Sequence, residues 1–231
     1  MKTARHFFLL VAVLFSVNML IAGSSAAGPV SDLIKLPEPS TDGRISIERA
    51  LRERRSIRDF TAEPLALSHL SQLLWAAQGM TSPDGRRTAP SAGALYPLEV
   101  YVTAARVTGL DAGIYAYKPE SHSLIKIADG DRRADLSAAA HGQQCVRDAP
   151  AVLVISAVYG RTTVKYGERG NRFVHMEAGH AAQNISLQAV ALKLGSVVVG
   201  GFDDNAVKKA AHLAAPEQPL YLIPVGKPQD R

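Results

Sequence analysis

AVLVISAV, residues 151–158, is the stretch whose reading decides the fold class. An unbroken β-rich apolar run of this length reads as a strand buried on both faces. A different pattern follows it. From about Arg172 to Leu194 the chain is Ala-rich and helical, roughly 34 Å long at ~1.5 Å per residue, and it closes at Gly195. Ser196 to Val199 is a short buried strand ending in Gly200-Gly201, then come a helix from about Asp204 to Leu213 and a last strand from Leu220 to Val225. Upstream, a first helix spans about Ile47 to Arg55, with Ser46 as its N-cap and Ile47, Ala50, Leu51 and Arg54 on one face. A second helix starts after Ser68, another cap candidate, carries Leu70, Leu73, Leu74 and Ala77, and stops at Gly79. Residues 81–97 are a loop with breakers at Pro90 and Pro97. Leu98–Ala104 reads as a strand, Gly113–Tyr117 and Ser123–Ile127 as a hairpin, and Arg132–Ala140 as a short helix. Strands alternate with helices, but the early elements are helical and one hairpin is present. That combination predicts an α+β domain, a sheet covered by helices. No Gly-x-Gly-x-x-Gly follows a strand, which argues against a dinucleotide-binding unit, and neither a phosphate-binding loop ending in Lys-Ser/Thr nor a nucleophile elbow is present.

The composition agrees. Hydrophobic residues make up 47% and charged residues 20% of 231, a globular balance. Lys2 and Arg5 precede an apolar run from Phe7 to Ala22, and small residues follow to Ala27, the n-, h- and c-region order of a secretory signal peptide. Residues 1–27 are therefore expected to be a signal peptide and the protein to be exported to the periplasm, with membrane contact only through this segment where it stays uncleaved. Removing Lys2 and Arg5 lowers the net charge of +5 by two. No basic run alternates with aromatics, so nucleic acid is not an expected partner. Residues 28–45, rich in Pro, Ser, Asp and Gly, read as an extended N-terminal arm, leaving 46–231 as the domain. The single cysteine, Cys145, permits no intrachain disulfide. His141 and Cys145 lack a third ligand nearby, so no metal is expected.

Four segments carry residue types suited to chemistry. In Arg54-Arg55-Ser56-Ile57-Arg58 three guanidiniums and a hydroxyl offer a grip on a phosphate. The same residues also suit a solvated basic helix end. In Pro90-Ser91-Ala92-Gly93-Ala94-Leu95-Tyr96-Pro97 small uncharged residues let backbone approach a flat ligand, or simply connect two elements. Gly200-Gly201 ends a buried strand and either exposes N–H groups to a developing negative charge or turns the chain. Lys165-Tyr166, in a polar stretch expected to be a loop through Arg172, are a potential acid–base pair or plain surface.

In their order along the chain, the R-R-S-x-R-x-F segment, the P-S-A-G-A-L-Y-P loop, the K-Y-G segment, the E-A-G-H-x-x-Q-N helix and the G-G-F-D turn resemble the nitroreductase superfamily. The nearest branch is the SagB-type dehydrogenases, flavin enzymes associated with thiazole and oxazole formation in peptides. The resemblance covers about residues 44–228. It implies a central, mainly antiparallel sheet covered by helices, and a homodimer with two FMN sites at the subunit interface. It implies that Arg54 and Ser56, with Arg55 beside them, hold FMN phosphate and ribityl oxygens, and that Arg58 approaches the pyrimidine edge. Ser91, Ala92 and Gly93 would come from the partner subunit. Gly200 and Gly201 would aim N–H groups at flavin N5 and O4, and Lys227 would contact phosphate. Lys165 would be the base removing a substrate proton while hydride passes to N5, with Tyr166 beside it as the second catalytic residue. A small molecule or a peptide is the implied substrate. Two alternatives stay open: an NAD(P)H-dependent nitro, quinone or enone reductase, and a non-catalytic flavin-binding or electron-transfer module.

Overall fold

The structure, a computed structural model, describes residues 33–229. The expected signal segment, 1–27, lies outside the described residues, as does the start of the arm. No helix among the described residues is long and apolar enough to cross a membrane.

The chain begins with β1 (Leu33–Lys35), α1 (Ile47–Glu53), β2 (Leu65–Ala66) and α2 (Leu67–Gln78), followed by β3 (Leu98–Ala104), β4 (Val107–Thr108), β5 (Gly113–Lys118) and β6 (Ser123–Asp129). After α3 (Arg133–Ala139) and α4 (Gln144–Asp148) come β7 (Ala151–Ala157), α5 (Gly160–Tyr166), α6 (Arg169–Ala191), β8 (Gly195–Ser196), α7 (Asp204–Ala210) and β9 (Gln218–Gly226). Seven strands form one sheet in the order β1-β6-β5-β3-β7-β9-β8, every pairing antiparallel. The expected α+β class with a mainly antiparallel sheet is what the molecule has. Residues 33–35 of the expected arm join the sheet as its edge strand on β6.

β7 shows why its sequence is apolar at every position but Ser156. Side chains of a strand alternate between faces. Ala151, Leu153, Ile155 and Ala157 enter one core with α2 and α6, while Val152 and Val154 enter a second core with α3, α4 and α7. On the first face α6 presents Val174, Ala178, Ala181, Ile185 and Ala189, all buried. Their small side chains let the helix lie close to the sheet.

Two expectations differ from the structure. The polar stretch Lys165–Arg172 is no loop: Lys165 and Tyr166 end α5, and Arg169 to Arg172 open α6. Gly167, with φ +58°, ends α5, and its N–H bonds the Thr163 carbonyl at 2.8 Å. A Cβ on Gly170 would stand 2.9 Å from the Thr163 Cα, so only glycine lets the two helices meet here. Ser68 does not cap α2, which starts at Leu67 after Ala66 without a side-chain cap. α4, a five-residue turn that buries Cys145 and Val146, is not expected from the sequence. Ser46 does cap α1, accepting the Arg49 N–H at 3.2 Å.

Candidate active site

The segments singled out above gather into two clusters. The first lies where β3 and α6 meet the helical hairpin of α5 and α6. Lys165 is exposed and Tyr166 half-buried at the end of α5. Both point at the Ser91–Tyr96 loop: a Cβ placed on Gly93 would meet the Tyr166 hydroxyl at 2.8 Å and Lys165 Nζ at 3.0 Å. Tyr166 is held edge-on to Phe173, with centroids 5.1 Å apart. Ser91, Ala92 and Gly93 therefore share their cluster with Lys165 and Tyr166 of the same chain.

The loop holds an unusual backbone. Gly93, Ala94 and Tyr96 have φ of +64°, +54° and +45°, and the last two carry a Cβ that disfavours this region. Side chains around it offset the cost. The Arg161 guanidinium donates to the Tyr96 carbonyl at 3.0 Å and lies in an ion pair with Glu99. The Arg87 guanidinium sits 4.5 Å over the Tyr96 ring and pairs with Glu120 at 2.8 Å. From beneath, Glu177 Oε1 accepts the Ala92 N–H at 2.9 Å. Arg87, Arg161 and Glu177 were given no role from sequence. Only Glu177 left a signal there: it is an acidic residue three positions after Val174 and one before Ala178, on the stripe that faces the core.

The second cluster sits at the β8 edge of the sheet. Ser56 bridges Ser196, the Ile57 N–H bonds the Ser196 carbonyl at 3.0 Å, and Ile57 packs on Gly195. This pairing carries Arg54, Arg55 and Arg58 along the strand. Arg55 donates to the carbonyls of Arg52 and Arg54, each at 2.8 Å. No carboxylate among the described residues engages the Arg54 or Arg58 guanidinium. Beside them a groove of about 400 Å³ is lined by Arg49, Arg55, Ser186, Lys193 and Ser196 among others. Further along, Gly200 and Gly201 are exposed, and a Cβ on Gly201 would meet nothing within 4 Å. Burial pushes the Cys145 thiol up, with the charge of Arg58 acting against it, and Gln143, two residues before Cys145, donates to the Gly201 carbonyl at 3.4 Å. Lys227 lies at the margin. Its Nζ pairs with Glu63 at 2.6 Å, and its carbonyl accepts the Thr61 N–H.

The clusters are well apart in one chain. The β8 edge lies at the Ala151 end of β7 and the loop at its Ala157 end, ~20 Å away at ~3.4 Å per residue. Along α6, Glu177 touches the loop, whereas Val190 lines the groove, again ~20 Å off.

The family model of the Nitroreductase family matches residues 51–227. The chain belongs to the nitroreductase family. Members of this family are oxidoreductases whose usual cofactor is FMN. Among relatives, the chain is 46% identical over 198 residues to the nitroreductase homologue MJ1384 of Methanocaldococcus jannaschii, covering 86% of this chain and 98% of that protein. It is 31% identical over 157 residues to the microcin B17-processing protein McbC of Escherichia coli, covering 64% of this chain but only 57% of McbC. A crystal structure of a nitroreductase homologue from Ralstonia eutropha superposes with a TM-score of 0.75 at 32% identity, covering 89% of this chain and 94% of that one. These residues suit the family's cofactor. Two guanidiniums without a carboxylate partner and a hydroxyl on a strand edge match a phosphate, and two exposed glycines offer unobstructed N–H groups to a flat ring.

Proposed function

We propose that this chain is an FMN-dependent dehydrogenase of the SagB type, assembled as a homodimer with composite sites. The observation that carries the reading is the convergence of Lys165 Nζ and Tyr166 OH on Gly93, one flexible amine and one phenol aimed at the same spot beside a small-residue loop. Arg54, Ser56 and Arg58 would hold the cofactor's phosphate and polar edge, with Arg55 beside them, and Gly200 and Gly201 would face its ring. When bound, FMN supplies an acceptor or donor of hydride at N5. Lys165 holds and moves the substrate proton, and Tyr166 orients the reacting group by its hydroxyl. Ser91 to Gly93 wall the space.

The ~20 Å separation of the clusters favours a dimer. A two-fold copy would set the Lys165 cluster of one subunit over the arginine cluster of the other. Large apolar side chains stand exposed where such a partner would cover them: Ile47 and Leu51 on α1, Val164 on α5 at 84% and Met176 on α6 at 55%. Resemblance to a microcin-processing protein supports a peptide carrying a dihydro-heterocycle as the substrate. The reductive reading, NAD(P)H-dependent reduction of a nitro, quinone or enone group, is favoured by the name of the archaeal relative. Export, read from residues 1–27, favours the oxidative direction, because NAD(P)H is not at hand outside the cytoplasm.

The test uses the full chain loaded with FMN. Oxidation of a thiazoline-bearing peptide to the thiazole, with oxygen as acceptor, is expected, and Lys165→Ala should slow it while flavin stays bound. Bleaching of the flavin by NAD(P)H, with no thiazoline oxidation, would replace this reading by the reductive one. N-terminal sequencing of the protein recovered from the periplasm would show the cut near residue 27, and an uncut, cytoplasmic chain would overturn the export proposal.

A further inference from the structure

Glu177 has no part in the reaction above, yet it is the residue that joins α6 to the loop. It lies on the helix face that otherwise buries Val174, Ala178, Ala181 and Ile185, and it is 4% exposed. A carboxylate in such a place demands partners. No ion pair among the described residues involves it. Its partners are in the loop: Oε1 accepts the Ala92 N–H at 2.9 Å, and the carboxylate also accepts a hydrogen bond from the Ser91 side chain. Ser91 Oγ in turn accepts the Tyr96 N–H at 2.9 Å. One carboxylate thus fixes both ends of the turn that runs through left-handed Gly93, Ala94 and Tyr96.

The far side of that turn is what Lys165 and Tyr166 meet. Gly93 leaves no space for a Cβ between itself and the two reactive atoms. Holding the turn therefore sets the surface against which the pair stands. An ionised carboxyl, with only acceptor sites, can take both the amide and the hydroxyl. Burial pushes the Glu177 carboxyl up, while the Ala92 amide, the Ser91 hydroxyl and nearby His180 pull it down.

We infer that Glu177 is a positioning residue: it holds the Ser91–Tyr96 turn in its left-handed form and so fixes where Lys165 and Tyr166 stand. This rests on the reading that Lys165 moves the substrate proton, and its test has an arm that does not. Glutamine keeps an acceptor for the Ala92 amide and can donate to Ser91 Oγ, whereas alanine removes both bonds. In the full-length, FMN-loaded protein, Glu177→Ala should lower kcat for thiazoline oxidation by about 10²-fold, the scale of an ångström-sized misplacement, with KM and flavin content little changed. Glu177→Gln should recover most of that loss.

The arm without substrate is trace acetylation by acetic anhydride, read by mass spectrometry. Labelling of Lys165, relative to Lys118 and Lys209, should rise in Glu177→Ala and return towards wild type in Glu177→Gln. Should Glu177→Ala not fold, Ser91→Ala, which removes the hydroxyl bond alone, should move kcat and labelling in the same direction by less. Unchanged kcat and unchanged Lys165 labelling in a folded Glu177→Ala protein would overturn the inference. A wild-type protein inert to thiazoline, whose Lys165 labelling still follows Glu177, would sink the reaction and keep the positioning role.

Discussion

Replacing Gly93 by alanine puts one methyl group at the point where the proposed chemistry converges. Two effects follow, of different size. The first is backbone strain: at φ +64° a Cβ costs about 1–2 kcal/mol. For a domain of this length each kcal/mol lowers Tm by roughly 2–4 °C. The second is displacement. The methyl would stand 2.8 Å from the Tyr166 hydroxyl and 3.0 Å from Lys165 Nζ, where ordinary contact begins near 3.4 Å. Both are ends of flexible side chains, so they yield at little cost in stability, but they yield by several tenths of an ångström or more. A shift of that order at reacting atoms costs up to ~10²-fold in rate, or ~2.7 kcal/mol of activation free energy. The assay is kcat for thiazoline oxidation alongside a thermal melt, both on flavin-loaded protein. Gly109→Ala is the control. Gly109 has φ +80° with nothing within 4 Å of an added Cβ, so it carries the strain without the displacement. Equal kcat losses in the two variants would refute the reasoning, since strain alone would then account for Gly93.

Three other predictions concern assembly and stability. Lys165→Ala and Arg54→Ala proteins, each inactive alone, should regain activity when mixed and allowed to exchange subunits, up to about a quarter of wild type for random pairing into two-fold dimers. No recovery despite exchange would mean that Lys165 and Arg54 serve the same subunit's site. His122 bridges the Tyr117 hydroxyl (2.8 Å), Ser71 Oγ (2.7 Å) and the Pro37 carbonyl (3.0 Å), and burial holds its imidazole below the ordinary value. The unfolded chain then binds more protons than the folded one, so this residue's contribution is present above the unfolded pKa of ~6.5 and is lost as pH falls through the lower folded value. Urea melts of wild type and His122→Gln across pH 5 to 8 should show the acid-side slope reduced in the variant, and parallel curves would contradict the assignment. Glu217, buried between β3 and β7, accepts the Tyr101 hydroxyl at 2.8 Å and the Ser156 hydroxyl at 2.5 Å. Glu217→Ala strands both and should cost about 1–3 kcal/mol for each, seen as a lower urea midpoint at unchanged m, whereas an unchanged midpoint would mean that water replaces the carboxylate.

How far the sequence could be read depended on range. β7 was legible because burial on both faces makes it apolar at every position but Ser156, whose hydroxyl is taken up by Glu217, and its alternate side chains do enter two different cores. The hairpin of β5 and β6 and the Ser46 cap are local devices and were legible for the same reason. α5 was not. Its residues, Gly160 to Tyr166, are polar and without apolar period, and it is held by contact with α6 across Gly170, which no window on the chain displays. Each motif of the candidate site could be found separately, but only the family resemblance implied that Ser91 to Gly93 come from the partner subunit. That Gly93 meets Lys165 and Tyr166, while Arg54 and Ser56 lie at the other end of the strands, is set by the strand order of the sheet. Glu177 gives little away in sequence, since an acidic residue on an Ala-rich helix is ordinarily solvent-facing and only its register against Val174 and Ala178 marks it as buried.

FMN is proposed to bind between the Arg54–Arg58 strand edge and the Gly200-Gly201 turn. The most direct measurement is the absorbance spectrum and flavin content of the purified full chain, expressed with ample riboflavin, for wild type and Arg54→Ala. Bands at about 370 and 450 nm, FMN released on denaturation at about one per subunit, and weakened retention in Arg54→Ala are expected. A colourless wild-type protein that takes up no added FMN, or one whose FMN is indifferent to Arg54, would contradict it.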